Sequence, residues 1–163
     1  MSRASLSSRH SSKKVGVISD THGLLRPEAV AALRGSEVII HAGDIGSPAV
    51  LEDLAKIAPV FAVRGNNDRD DWARALPLTD VVEVGGLLVY LLHDIADLDL
   101  DPAAAGMSAV ITGHSHKPLA ETRDGVLFLN PGSAGPRRFN LPIAVARLSV
   151  VDGRLGSEIV HLG

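Results

Sequence analysis

The chain has 163 residues, 45% of them hydrophobic, enough for one good core and too few for two ordinary domains. A formal net charge of -3 gives no general pull on a polyanion, and three Phe, one Tyr and one Trp offer few stacking surfaces, which argues against extended nucleic-acid binding. The absence of Cys excludes disulfides, thiolate metal sites and cysteine nucleophiles, so any metal must be held by oxygen and nitrogen donors.

The opening segment, MSRASLSSRHSS, is rich in Ser and Arg, lacks acids and lacks the apolar middle of a secretory signal. A disordered tail is expected over residues 1–13, with one domain over residues 14–163. No apolar stretch approaches the length of a membrane span, and a cytoplasmic protein with no membrane partner is expected.

From Lys14 the pattern alternates. An apolar run at residues 15–19 precedes a helix-like stretch at residues 27–33; a run at 38–41 precedes a second helix at 48–57; a run at 60–63 leads to a third helix near 70–76. Alternation of this kind predicts parallel βαβ units. Pro27 and Pro48 suit the first turn of a helix, and Ser47 is placed to cap the second. Beyond Pro77 three dipeptides that favour tight hairpins, Gly85-Gly86, Asp124-Gly125 and Asp152-Gly153, separate alternating runs. They predict a mostly antiparallel second half, two sheets packed face to face, and helices outside the parallel part. Residues 94–107 form an acidic loop with room for one short helix, directly after His93.

Five of the apolar runs stop at a residue able to bind metal: VGVISDTH at Asp20 and His22, EVIIHAGD at Asp44, PVFAVRGNN at Asn66 and Asn67, GLLVYLLH at His93, and SAVITGHSH at His114 and His116. In open α/β sheets strand ends gather along one edge, so residues distant in sequence can converge on one ligand. Asp20 and His22 are two apart, as are His114 and His116, and in extended chain each pair leaves the same face. A single divalent ion takes three or four protein ligands, whereas a pair sharing bridging oxygens needs about seven. The count points to two metals.

The ordered set DTH, GD, GN, H and GHSH resembles the calcineurin-like metallophosphoesterases. The forms HAGDI, VRGNND, ITGHSHKP and LNPGSAGPRR resemble their small bacterial and archaeal phosphodiesterase group, from Val15 to about Arg138. The resemblance implies an α/β fold of four layers, an α/β/β/α sandwich with two mixed β-sheets, and a binuclear centre. It implies Asp20, His22 and His116 as ligands of a first metal, Asn66, His93 and His114 of a second, and Asp44 as the bridge. Asp44, Asn66 and His93 are the implied catalytic residues, and a metal-bridging hydroxide attacking a small phosphodiester is the implied chemistry. Mn²⁺ is the expected metal, with Ni²⁺, Zn²⁺, Fe or Mg²⁺ also suited to mixed imidazole and carboxylate donors.

Two positions depart from the wider family. Many phosphomonoesterases of this type read GNH, with the His protonating the leaving group, where this chain has Asn67; an amide cannot supply a proton, which favours diesters with good leaving groups. Where relatives often place Gly after the fourth motif's His, His93, this chain has Asp94, a residue that tolerates the left-handed backbone. The rival enzyme reading is a phosphomonoesterase or nucleotide phosphoanhydride hydrolase on the same metals. The rival of another class is a protein-binding scaffold, since the chain is also similar to the metallophosphoesterase-like subunit of retromer; seven intact ligand positions weigh against it.

For His41 the sequence leaves two readings, an ordinary buried histidine or one that orients Asp44 or a neighbouring ligand. Arg137 and Arg138 are either surface charge or donors to a substrate phosphate. Asn130, before Pro131-Gly132, reads as a turn, and Arg64 as a strand-end charge. His10 and His161 lie outside every motif, and homo-oligomer formation is left open.

Overall fold

The computed structural model describes residues 12–162. Ten strands form two five-stranded sheets. The first has the order β10-β9-β1-β2-β3 and the second β4-β5-β6-β8-β7. In the first, β1 (Ser12–Ile18), β2 (Val38–His41) and β3 (Val60–Ala62) run parallel, while β9 (Ala144–Val151) and β10 (Arg154–His161) complete it antiparallel. Up to residue 11 the expected tail lies outside the described residues. Ser12 and Lys13, assigned to it from sequence, instead open β1, because β9 offers them Val151 and Val150 as pairing partners.

The second sheet contains β4 (Thr79–Val84), β5 (Leu87–Leu92), β6 (Met107–Ile111), β7 (Leu119–Arg123) and β8 (Val126–Asn130). The three hairpins lie where the dipeptides place them. At Asp124-Gly125 and Asp152-Gly153 both central residues have φ between 51° and 79°, the twist that matches two antiparallel strands. The centre of this sheet departs from the antiparallel expectation, because β5, β6 and β8 run parallel to one another. Hairpin signals report only local pairing; the crossovers through residues 93–106 and 112–118 carry no such mark.

Strands of the parallel part are apolar on both faces, as burial on both sides requires. Val15, Val17 and Ile40 of the first sheet meet Val82, Val89, Leu91, Ala109 and Ile111 of the second in the core between the sheets. Their neighbours Ile18, Ile39 and Val145 point outward onto α1 (Pro27–Leu33) and α2 (Pro48–Ala55), against Ala29, Leu33, Val50 and Leu54. Gly16 makes that contact close, since a Cβ there would stand 2.7 Å from both Leu33 Cδ2 and Ser36 Oγ. Ser47 caps α2, its hydroxyl accepting from Ala49 N at 3.2 Å, and the helix closes at Ala55, before Pro59. The third helix is the single turn α3 (Asp71–Arg74).

The fourth layer is thin. The outer face of the second sheet, Tyr90, Leu92, Val110 and Val126, is covered by Leu98 and Leu100 of the acidic loop, whose one helical piece is a 3-10 turn at Ile95–Asp97. Among the described residues no helix is long and apolar enough to cross a membrane.

Candidate metal centre

Six parallel strands, β1, β2 and β3 of one sheet and β5, β6 and β8 of the other, deliver the segments after their carboxyl ends to a common edge. Asp20 Oδ1 lies 3.4 Å from His116 Nε2, 3.9 Å from His93 Nε2 and 4.0 Å from His22 Nε2. Asp44 Oδ2 lies 3.3 Å from His93 Nε2 and 3.8 Å from His22 Nε2. Two carboxylates thus stand among three imidazoles. Asn66 and His114 complete the group as a pair, Asn66 Oδ1 being 3.2 Å from His114 Nδ1, with the His114 ring edge-on to His93 at 5.2 Å between centroids. The sequence-predicted ligands therefore all arrive in one place.

Two sets have ligand atoms within 4.8 Å of one another, Asp20 with His22 and His116, and Asp20 with Asp44 and His93. The first matches the expected set for one ion. In the second the carboxylates Asp20 and Asp44 share His93, while Asn66 and His114 stand behind it.

The donor set fits a cation. Asp20 Oδ1, His22 Nε2, His93 Nε2 and His116 Nδ1 are buried and have no hydrogen-bond partner. Buried polar atoms left unpaired cost about 1–3 kcal/mol each, so the three that face one another, Asp20 Oδ1, His22 Nε2 and His93 Nε2, call for a ligand that takes lone pairs. The backbone points the same way. Asp20, His22, Asp44, His114 and His116 have φ of 56°, 46°, 56°, 71° and 64°, the left-handed region that non-glycine residues enter at a cost and that gathers at functional sites. Cross-bonds hold them there: Asp20 N donates to Gly43 O at 3.0 Å, His22 N to Asp44 O at 2.9 Å, and His114 N to Asp20 Oδ2 at 3.1 Å.

Charge is organised to match. Burial pushes the Asp44 carboxyl up, but the His93 imidazole 3.3 Å away and the Asn67 backbone N–H outweigh it and bring its pKa down to about 2. For Asp20 the balance has the same sign, with burial opposed by His116, by the Ser19 hydroxyl at 2.7 Å and by His93. Burial lowers His93, yet Asp44 raises it above the ordinary value; burial prevails at His22, which falls below it against the pull of Asp44 and Asp20.

Residues behind the ligands fix the loops. His41 is fully buried, and Gly43 N–H donates to its Nδ1 at 3.1 Å, which leaves the ring proton on Nε2, 3.0 Å from Thr21 Oγ1. The Thr21 hydroxyl passes the chain on to Ile45 O at 2.8 Å. One neutral tautomer thus ties the Asp20-to-His22 segment to the Asp44 segment. Burial holds its pKa down to about 4, below the ordinary 6.5. The neutral ring's contribution is therefore complete above about pH 6.5 and is lost as pH falls through about 4. Metal-stripped protein is expected to lose about 3 kcal/mol of folding stability on this account between about pH 7 and pH 4. A His41→Asn variant should be weaker near neutrality and nearly flat over the same window. Urea midpoints at the two pH values check this, and equal pH slopes in both proteins would contradict it.

Sequence reasoning missed Asp68, although it stands in the VRGNND motif. It is buried and accepts from Ile45 N at 3.0 Å, Gly46 N at 3.1 Å and Gly65 N at 3.0 Å, clamping the Asp44 and Asn66 loops together. Asn130, expected only to turn the chain, donates to Gly113 O at 2.9 Å and Ser115 Oγ at 3.1 Å and so braces the segment of His114 and His116. Asn67 turns its amide onto Asp44 Oδ2 at 3.2 Å. Asp94 Oδ2 lies 3.5 Å from His114 Nε2, which ties the acidic loop to the centre. Arg137 donates to Leu141 O at 3.2 Å; of the arginine pair it is Arg138 whose charge bears on His22. Arg64 has a buried Nε without a hydrogen-bond partner, beside Asn66 and His93.

Comparison with known proteins agrees with this geometry. Residues 14–153 match the calcineurin-like phosphoesterase superfamily domain. A probable metallophosphoesterase of Methanothermobacter thermautotrophicus is 36% identical over 161 residues, covering 91% of this chain and 92% of that protein. A phosphodiesterase of Methanocaldococcus jannaschii is 30% identical over 138 residues, covering 73% of this chain and 82% of the relative. In fold, the chain is similar to the solved Vacuolar Protein Sorting 29 of Cryptosporidium parvum, with a TM-score of 0.74, 21% identity, and coverage of 92% of this chain and 97% of that one. The seven convergent side chains and the two mixed sheets thus belong to a recognised whole, and this chain is a member of the calcineurin-like phosphoesterase superfamily.

Proposed function

We propose that the protein is a two-metal phosphodiesterase acting on small organic phosphodiesters. The observation that carries this reading is the cluster of three buried, unpaired ligand atoms, Asp20 Oδ1, His22 Nε2 and His93 Nε2, beside Asp44. Asp20, His22 and His116 would hold one divalent cation, Asn66, His93 and His114 the other, and Asp44, with two oxygens to share, both. Such a pair, Mn²⁺ by preference, supplies a nucleophile at neutral pH and positive charge for the phosphate oxygens.

The chain's own residues set what else can happen. Asn67 donates to Asp44 and has no proton to give a leaving group, so departure depends on the leaving group's own stability. His41, Asp68 and Asn130 keep the ligand segments in register, which matters because a small misplacement of reacting groups costs about 100-fold. A scaffold role, favoured by the likeness to Vacuolar Protein Sorting 29, would not require every ligand position to keep a ligating side chain, and this chain keeps all seven.

The test is hydrolysis by metal-stripped protein with and without added Mn²⁺, across aryl diesters of graded leaving-group acidity beside the matching monoesters. Turnover should require the metal, prefer diesters and fall steeply as the leaving group becomes more basic. No turnover with any divalent ion despite metal uptake would favour the scaffold, and a flat leaving-group series would remove the meaning given to Asn67.

A further inference from the structure

Two cavities open beside the candidate centre, and they differ in character. One, of about 320 Å³, is mixed, ringed by Arg64, Asn66, His93 and Asp97 together with the apolar Leu78 and Leu92. The other, of about 360 Å³, lies between the turn at Asp94 and Ile95 and the β7–β8 hairpin, and its wall is mainly apolar. Asp94 lines both. They meet at the centre itself, Asn66 on one side and His114 on the other, 3.2 Å apart.

The apolar cavity is built from side chains that gain nothing by their present exposure. Ile95, from the 3-10 turn, and Leu119, from β7, are 44% and 42% exposed and both line it. Phe128 forms part of the wall, and the Arg123 guanidinium lies over its ring at 4.7 Å from the centroid, a flat cationic and aromatic pair. Concave sites with apolar walls and a few polar groups at one end are the usual form of a small-molecule pocket, and about 300 Å³ is enough for one ring system. The polar end here is His114, already part of the metal centre.

Resting on the phosphodiesterase reading above, we propose that this cavity binds a planar apolar arm of the substrate, an aryl or heteroaromatic ester group. The mixed cavity across Asp94 receives the second arm. A phosphomonoester has one arm and leaves one cavity unused, whereas a diester fills both. The two cavities differ in lining, so the fitting substrate is an unsymmetrical diester, one arm flat and apolar and the other bearing polar groups to match Arg64 and Asp97. Discrimination for the flat arm comes from removing Ile95, Leu119 and the ring face from water together with the ligand's own apolar surface.

Calorimetric binding of phenylphosphonate and methylphosphonate to the Mn²⁺-loaded protein tests the assignment without turnover. The two probes share a head group, so the ratio of their affinities reports the arm. Wild type should favour the phenyl compound by about 10-fold or more, the scale on which one buried apolar group discriminates. Leu119→Asp and Ile95→Ser, on different elements and at exposed positions, should each bring the ratio toward one. Val151→Asp, 48% exposed at the end of β9 and lining neither cavity, should leave it unchanged. A wild-type ratio near one, a ratio that survives both variants, or failure of both phosphonates to bind overturns the proposal. Aryl diester turnover in the same samples separates the two ideas. Turnover with a ratio near one removes the pocket and keeps the phosphodiesterase; a phenyl preference lost in the variants, without turnover, keeps the pocket and removes the phosphodiesterase.

Discussion

Asp44→Ala is expected to reduce metal-dependent hydrolysis of an aryl phosphodiester by more than about 100-fold, beyond the roughly 10–100-fold seen when residues that only orient a metal ligand are removed. The expectation follows from where Asp44 sits. Its Oδ2 is 3.3 Å from His93 Nε2 and 3.8 Å from His22 Nε2, so this one side chain faces both proposed metal positions. With a pKa of about 2 it is ionised across the working range, and its charge is what two neighbouring cations require. The variant should bind fewer metal ions per chain by elemental analysis while keeping its fold, since the carboxylate's hydrogen bonds run to the Asn67 loop rather than into the apolar core. Full turnover in the variant would show that the reaction, if present, does not run through this centre.

Asp68→Ala should act on stability first and on the site second. The carboxylate accepts from three backbone N–H groups, those of Ile45, Gly46 and Gly65, and is almost wholly buried. Removing it leaves those donors without a partner, at a cost of about 3 kcal/mol or more given about 1–3 kcal/mol for each buried group left unsatisfied. Asp68→Asn keeps one acceptor oxygen and sets an amide N–H₂ against a backbone donor, so it should recover only part of the loss. Urea midpoints of metal-stripped proteins measure the effect. Metal affinity should fall as well, because the Asp44 loop and the Asn66 loop lose their clamp, and Gly65 admits no side chain that could refill the space: a Cβ there would overlap Asp44 Oδ1 and the Asp44 backbone nitrogen. Unchanged midpoints would mean that water satisfies the three donors and that the loops hold each other without Asp68.

These two residues differ in how visible they are before the fold is known. Asp44 ends an apolar run, one of five that do so, and ligand-type residues repeated at strand ends are a pattern that composition does not produce by accident. Asp68 stands directly after such a run, in a stretch where Asn, Asp and Arg follow one another, and nothing local separates a buried clamp from a solvated turn. The sequence leaves His41 between two readings for the same reason, since only the approach of Gly43 N–H to Nδ1 and of Thr21 to Nε2 decides its tautomer. Asn130 was read as a turn because Asn-Pro-Gly is turn chemistry; that its amide reaches Gly113 and Ser115 depends on β8 lying beside β6.

The sequence by itself determined the strands, through runs apolar on both faces, the hairpins, through their paired turn residues, and the candidate ligand residues, through their place at the ends of runs and the family resemblance they carry. These are local properties, set by periodicity, by backbone freedom at Gly and Asp, and by the chemistry of single side chains. Tertiary structure alone decided that β5, β6 and β8 are parallel, which is what brings His93 and His114 to the same edge as Asp20 and Asp44. It alone set five ligand-bearing residues in left-handed backbone, braced by bonds between segments more than 20 residues apart. Strand order and loop crossing are settled by the burial of faces contributed from the whole chain, and no window of neighbouring residues contains that information.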